Sequence, residues 1–279
     1  MKIGFHVSIS GSIDLAVDRA VALGCNTFQI FTRNPRGWRP RPLKAEEVEA
    51  FIEKKSRAGL EPVYAHTPYL INLASPRVEV YKRSLEALMI DLERCRALEI
   101  PYLVTHLGSH LGTGSGLGIE RLIKAINRAL AEAENEVIIL LENGAGSAHQ
   151  IGSKLEDLRM IMDMVERPSQ VAVCLDTCHA FAAGYEFRTP LGLEKTLKTI
   201  EESIGFEKLR LVHLNDSRGG LGSGVDHHEH IGLGEIGEEG FQLILKSRLA
   251  ESPMILETPM DNRRSDIENL RKVKELASS

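Results

Sequence analysis

The chain lacks most of the features that would mark it for export or for a membrane. Its 279 residues include only four cysteines (Cys25, Cys95, Cys174 and Cys178), with no disulfide spacing, as expected in a reducing cytoplasm. No apolar run approaches the roughly 18 residues that cross a bilayer. The N-terminus, Met1-Lys2-Ile3-Gly4-Phe5-His6, enters a strand pattern directly, with no cleavable apolar leader. Asparagine and glutamine together number 13, a scarcity that hints at a heat-tolerant source. Positive charge is not in excess: the net charge is -5, which argues against a sequence-tolerant nucleic-acid coat protein. Aromatic residues make up 5% and Trp38 is the sole tryptophan, so a functional aromatic would have to come from a short list.

What the chain does have is a recurring unit. Six short apolar runs end on a side chain able to hold a metal: Val63–His66, Leu103–His106, Ile138–Glu142, Ala172–Asp176, Leu211–His213 and Met254–Glu257. The end residues are 40, 36, 34, 37 and 44 positions apart. One strand, one loop and one packed helix together consume about 35 residues. The runs are continuous, not alternating, as in parallel strands buried on both faces. Lys2–Val7 and Thr27–Thr32 add two earlier strands, making eight. Helical stretches fall between them. Ser75-Pro76 and Thr189-Pro190 read as N-caps followed by proline at the first helical position. Gly24, Gly59 and Gly205 read as helix ends. Leu155, Leu158, Ile161, Met162 and Val165, and later Leu270, Val273 and Leu276, recur at helical spacing. No linker divides the chain. The expectation is one (β/α)8 barrel of TIM type over residues 1–279, with its site at the C-terminal rim of the strands. No exposed apolar helix calls for a partner, so a monomer is expected.

In such a barrel the six run ends meet at one rim, with the irregular stretches Asn34–Leu43, His110–Gly118 and Asn215–Gly234, all of which follow strands. His179, Asp226 and His228 in rim loops bring the candidate ligands to nine: His66, His106, Glu142, Asp176, His179, His213, Asp226, His228 and Glu257. Imidazole and carboxylate suit zinc, manganese and iron. Nine are too many for one tetrahedral zinc and suit two or three ions with a bridging carboxylate. Without a cation, so many ionisable groups at an apolar mouth would repel or go unsatisfied. Cys174 and Cys178 are read as packing residues, with Cys178 also able to act as a ligand. His6, His110 and His149 are read as hydrogen-bonding partners beside the ligands. The segment Gly232–Gly237 matches the dinucleotide pattern GxGxxG but follows no strand, so a nucleotide cofactor is not expected. The loop Arg33–Arg41 holds four arginines and Trp38, groups able to position phosphates and stack on bases.

The stretches His66-Thr67-Pro68-Tyr69-Leu70-Ile71-Asn72-Leu73, His106–His110, Leu141-Glu142-Asn143, Asp176–Tyr185, His213-Leu214-Asn215-Asp216 and Leu256-Glu257-Thr258-Pro259 resemble the endonuclease IV family of abasic-site endonucleases. The resemblance runs from Lys2 to the last helix. It implies a (β/α)8 barrel and three zinc ions, with manganese possible at one position. His66, His106 and Glu142 would hold the first ion. Glu142 would bridge to a second shared with Asp176, His213 and Glu257, and His179, Asp226 and His228 would hold the third. Glu142 and Glu257 are the catalytic candidates. Arg36, Tyr69 and Leu70 match residues that enter the duplex at the missing base, and Trp38 joins them as a DNA-binding candidate. One departure stands out: the family usually has Asp-Arg-His where this chain has Asp226-His227-His228, which removes a permanent cation and adds an imidazole.

The resemblance implies hydrolysis of the phosphodiester 5′ to an abasic site in double-stranded DNA by a metal-bound hydroxide, leaving a 3′-hydroxyl. Three divalent ions would move the net charge from -5 to +1, concentrated at the rim. The principal rival is a mononuclear sugar isomerase or epimerase on a related barrel, which would have no use for Asp226 and His228 or for the arginine-tryptophan loop. A non-catalytic DNA-damage binding module would keep that loop without needing six aligned ligands.

Overall fold

Residues i and i+2 of a strand share one face of its sheet, so a run that ends on a ligand should carry an inward apolar residue two positions earlier. A computed structural model describes residues 1–279 and shows this arrangement. Its eight barrel strands are β1 (Ile3–Phe5), β2 (Phe28–Phe31), β3 (Val63–His66), β4 (Tyr102–His106), β5 (Ile138–Glu142), β6 (Val171–Asp176), β7 (Leu209–His213) and β10 (Met254–Leu256). All pair in parallel, in the order β1-β10-β7-β6-β5-β4-β3-β2. The ring is nearly closed. Between β1 and β2 a single bridge, His6 to Gln29, is supplemented by the Val7 amide donating to the Gln29 carbonyl at 2.8 Å.

Seven residues fill the barrel interior: Tyr64, Val104, Leu140, Ala172, Cys174, Leu211 and Ile255. Six of them stand two positions before a run end, so the column that is apolar inside the barrel emerges as a ligand at its mouth. Burying a Leu, Ile or Val side chain stabilises by about 1.5–3 kcal/mol, so the same strands that form the core also aim the ligands. A larger apolar layer of 66 buried residues lies outside the strands, under the helices. Gly4 is a requirement of close approach: a Cβ there would lie 1.7 Å from the Thr27 carbonyl oxygen.

The helices are α1 (Leu15–Ala22), α2 (Ala45–Ala58), α3 (Val78–Ala97), α4 (Ser115–Ala133), α5 (Leu155–Met164), α6 (Thr177–Ala182), α7 (Pro190–Ser203), α8 (Gly237–Leu245) and α9 (Asp266–Ser278). Thr189 caps α7 through the Gly192 amide with Pro190 first in the helix, and α2 ends on Gly59 in the left-handed region. Leu155, Leu158, Ile161 and Met162 bury the inner face of α5, as Leu270, Val273 and Leu276 do in α9. The Ser75-Pro76 expectation is corrected. The Ser75 hydroxyl accepts from the Arg77 amide at 3.1 Å, which closes a turn, and α3 starts only at Val78 without a side-chain cap. The stretch Asn215–Gly234 also contains more order than expected: β8 (Asp216–Ser217) and β9 (His228–Glu229) form a short antiparallel ladder that holds His228 over the barrel mouth. The GxGxxG segment has an internal use. The Gly232, Gly234 and Ile236 amides all donate to the Asp216 carboxylate at 2.9–3.0 Å, filling the positions that a phosphate would take. No helix is long and apolar enough to cross a membrane.

Candidate metal centre

Strand register brings the six run ends to one mouth, and α6, the loop before β9 and β9 itself add His179, Asp226 and His228; the nine fall into three sets, of which two share Glu142. His66, His106 and Glu142 form one; Glu142, Asp176, His213 and Glu257 another; His179, Asp226 and His228 the third. Within each set the donor atoms lie within 4.8 Å of one another. Donors about 2 Å from a tetrahedral zinc sit roughly 3.3 Å apart. The observed separations bracket that value. Glu142 Oε2 lies 3.0 Å from His66 Nε2 and 3.1 Å from His106 Nδ1, while Glu142 Oε1 lies 3.0 Å from His213 Nδ1. His179 Nε2 is 2.9 Å from Asp226 Oδ1, and His228 Nε2 is 3.5 Å from Asp176 Oδ2 and 4.0 Å from Asp226 Oδ1.

The hydrogen bonds on the far side of the rings test whether these donors suit a cation. His66 Nδ1 donates to the Thr67 carbonyl (2.6 Å), His179 Nδ1 to that of Asn143 (3.0 Å) and His228 Nδ1 to that of Glu257 (3.0 Å). A carbonyl only accepts, so in the neutral ring the proton is on Nδ1 and Nε2 is a bare lone pair. Each bare nitrogen faces carboxylate oxygens, and His228 Nε2 is buried without a hydrogen bond. Acceptor against acceptor is tenable only with a proton or a metal cation between them. The local field agrees. Burial alone would lower His179, but Asp176, Asp226 and Glu142 outweigh it and push the imidazole up to about 10. Against the same burial, His66 is raised by Glu142 and Glu257, and His213 by Cys174, Glu257 and Glu142, whereas burial prevails at His106. Burial works to raise Glu142 and Glu257, yet the surrounding imidazoles hold both well below the usual carboxylate range. Mixed nitrogen and oxygen donors in a field that favours positive charge fit divalent zinc or manganese.

Neutral groups hold the carboxylates in place. Asn143 pairs with the Asp176 backbone through both ends of its amide, at 2.7 and 3.2 Å. Asn215 Nδ2 donates to Asp176 Oδ2 at 2.7 Å, while its Oδ1 accepts from the Glu257 amide at 2.8 Å. Gln29 contacts Glu257, His213 and His6. The sequence reading gave these three no role. Asn143 and Asn215 are the residues following a run end and its neighbour, a position that could have flagged them. Gln29 carries no such signal.

Other expectations are revised. His110 and His149 meet edge-on at 5.1 Å between ring centroids, the His110 amide donates to the His149 carbonyl at 2.9 Å, and His110 Nδ1 accepts from the Gly114 amide, so both serve to join two loops and neither bonds a ligand. His6 does lie beside a ligand, with Nδ1 3.1 Å from Glu257 Oε1. Cys174 is core, and Cys178 is buried with its Sγ 3.6 Å from the His227 carbonyl, though near enough to Asp176 and His228 to join a donor set. His227 itself is exposed and belongs to no donor set, so it does not compete for the third position; Arg218 lines the same recess. In the arginine loop, Arg33 is buried and bound to Asp91, and Arg41 is paired with Glu47. Arg36 and Arg39 are exposed without an ion-pair partner. Trp38 is half-buried against the core and is not a free wedge. Tyr69, at 69% exposure, and Leu70 project at the rim, with Tyr69 edge-on to Phe31 at 5.2 Å.

The donors open onto a cavity of about 350 Å³ bordered by His6, Phe31, His66, Tyr69, Asp226 and Glu257. A family model described as a xylose isomerase-like TIM barrel matches residues 17–277. The chain is 52% identical over 279 residues to a probable endonuclease 4 from Methanoculleus marisnigri, covering 99% of each. Among solved structures, endonuclease IV from Thermus thermophilus superposes with a TM-score of 0.89 at 39% identity, over 100% of this chain and 99% of that one. A D-tagatose 3-epimerase-like protein gives a TM-score of 0.73 at 19% identity, over 100% and 98% of the two chains, a likeness of fold alone.

Proposed function

The chain belongs to the endonuclease IV family and is an endonuclease of DNA repair, and from that premise we propose that it hydrolyses the phosphodiester 5′ to an abasic site, leaving a 3′-hydroxyl, with three divalent ions held by nine side chains. Zinc is the ion that suits the donors, with manganese admissible at one position. The observation that carries this reading is the division of Glu142: one oxygen faces His66 and His106, the other faces His213, so a single carboxylate serves two donor sets. A mononuclear isomerase has no use for that division or for His179, Asp226 and His228.

When bound, the ions would lower the pKa of water and draw charge from the phosphodiester. The side chains do the rest. Glu142, buried, fixes the separation between the first two sets. Glu257, on the cavity wall, holds negative charge opposite the imidazoles, so that cations are retained beside the phosphate. Arg36, free of any carboxylate, holds a backbone phosphate. Tyr69 and Leu70 occupy the gap at the missing base, where unstacking costs less than at an intact nucleotide. Phe31 and the Tyr69 edge form an aromatic wall on one side of the cavity. The protein acts as a single barrel, residues 1–279, and as a monomer on duplex DNA.

The test is a metal count on purified protein together with incubation of an abasic-site duplex and an undamaged control. The expected result is close to three ions per chain and cleavage confined to the damaged duplex. Glu142→Gln should lose at least one ion and nearly all cleavage. About one ion per chain, with epimerisation of a ketose and no cleavage, would overturn the reading.

A further inference from the structure

Gln29 is one of only four glutamines in the chain and is fully buried in the barrel. It pairs in register with Tyr64, one layer below the donors, so its side chain rises from the interior into the base of the four-residue set. Its amide nitrogen lies 2.8 Å from Glu257 Oε1 and 2.9 Å from His6 Nδ1, and its amide oxygen 2.9 Å from His213 Nε2. The partners decide which end is which. An ionised carboxylate only accepts, so the NH2 must face Glu257 and the carbonyl must face His213. A carbonyl cannot donate, so His213 carries its proton on Nε2. Its Nδ1 is then the bare nitrogen, and it is aimed at Glu142 Oε1 (3.0 Å), Glu257 Oε2 (3.5 Å) and Asp176 Oδ2 (3.9 Å). The same NH2 holds Oε1 of Glu257, which leaves Oε2 turned towards the set.

We propose that Gln29 is a positioning residue: one buried amide sets the tautomer of His213 and selects the oxygen of Glu257 that faces the metal. The inference rests on the four-residue set being a metal site. It explains why a polar, uncharged side chain stands where the other strands place Tyr, Val, Leu, Cys and Ile. An apolar residue there would leave His213 Nε2 buried without an acceptor and both ligands free to turn. The second amide proton goes to His6 Nδ1, leaving the His6 proton on Nε2, the buried atom without a protein partner that borders the cavity.

The experiment compares the zinc-loaded protein with Gln29→Met, which keeps length and volume, and with Gln29→Glu, which keeps the acceptor for His213 but loses the donor to Glu257. Chelator competition should show one ion held roughly 10–100-fold more weakly in both variants, with the others released as in the unaltered protein. Nitrogen-15 spectra of the unaltered protein should place the His213 proton on Nε2, and Gln29→Glu should keep it there. Zinc affinities in Gln29→Met within about threefold of the unaltered protein, well inside the loss expected of a ligand-orienting partner, would overturn the assignment. So would a His213 proton on Nδ1, a readout that remains should Gln29→Met fail to fold. An unaltered protein that holds no zinc overturns the metal reading itself, whereas zinc bound equally by unaltered and variant protein overturns only the role of Gln29.

Discussion

Two arginines in one loop have opposite tasks. Arg33 reaches inward, where Nε and Nη2 grip the two oxygens of Asp91 at 2.9 and 3.1 Å. Burial pushes the Asp91 carboxyl up, and the Arg33 fork and the Thr32 hydroxyl counter only part of that. Arg33→Met strands a buried carboxylate and should cost about 3–5 kcal/mol in urea unfolding. Arg36→Ala should leave stability within about 0.5 kcal/mol, as surface changes usually do. It should also weaken binding to an abasic duplex and flatten the salt dependence of log K by about one phosphate contact, a slope change near 0.9. An unchanged slope would remove Arg36 from the DNA interface. The sequence placed both residues in the same basic loop, and only the packing separates them. Charged ligands at run ends were legible because residue type and position agree. Gln29 was not, because a neutral amide in a strand has no chemical signature until its partners are known; Asn143 and Asn215, just past strands β5 and β7, offered only their position.

At the scale of elements, helix ends were legible where the side chain that bonds the amide also begins the helix. Thr189 does so for α7; the structure adds Ser265 for α9, a start the sequence reading did not name, where its hydroxyl accepts from the Glu268 amide and the Glu268 carboxylate returns to the Ser265 backbone. Ser75 has the right chemistry two residues too early, because its hydroxyl is spent on a turn. Ser265→Ala should therefore cost about 1 kcal/mol, measured by chemical denaturation. Since α9 also buries Asn269, which bonds His230 Nδ1 at 2.9 Å, loosening its first turn should raise amide exchange in the rim segment that follows β9. The β8–β9 ladder escaped the sequence reading because two residues per strand give no periodicity to detect.

Across the whole molecule, the ring of strands is continuous except between β1 and β2, and the seam is held by the residues that touch the metal set. His6 and Gln29 form the lone bridge there; Gln29 bonds Glu257, and His6 Nδ1 lies 3.1 Å from the same carboxylate. Removing the ions should therefore loosen the seam first. Free ion at a thousandfold excess over Kd stabilises by about 4 kcal/mol. Chelation should lower the melting temperature accordingly and speed exchange of the Val7 amide before those of β4 and β5. Uniform acceleration across all strands would contradict that order. The alternation of strand and helix was legible from spacing alone, but the position of the seam was not, since pairing between strands far apart in the chain leaves no trace in either one.

The placement of Glu257 bears on when the enzyme becomes active. Of the nine donors it is the last to leave the ribosome, and it arrives with β10, the strand that slots between β7 and β1. A nascent or truncated chain has every other donor but neither a closed wall nor a complete second set. On the proposed ligand set, a DNA-cutting protein built this way would arm itself only when synthesis of the barrel is finished.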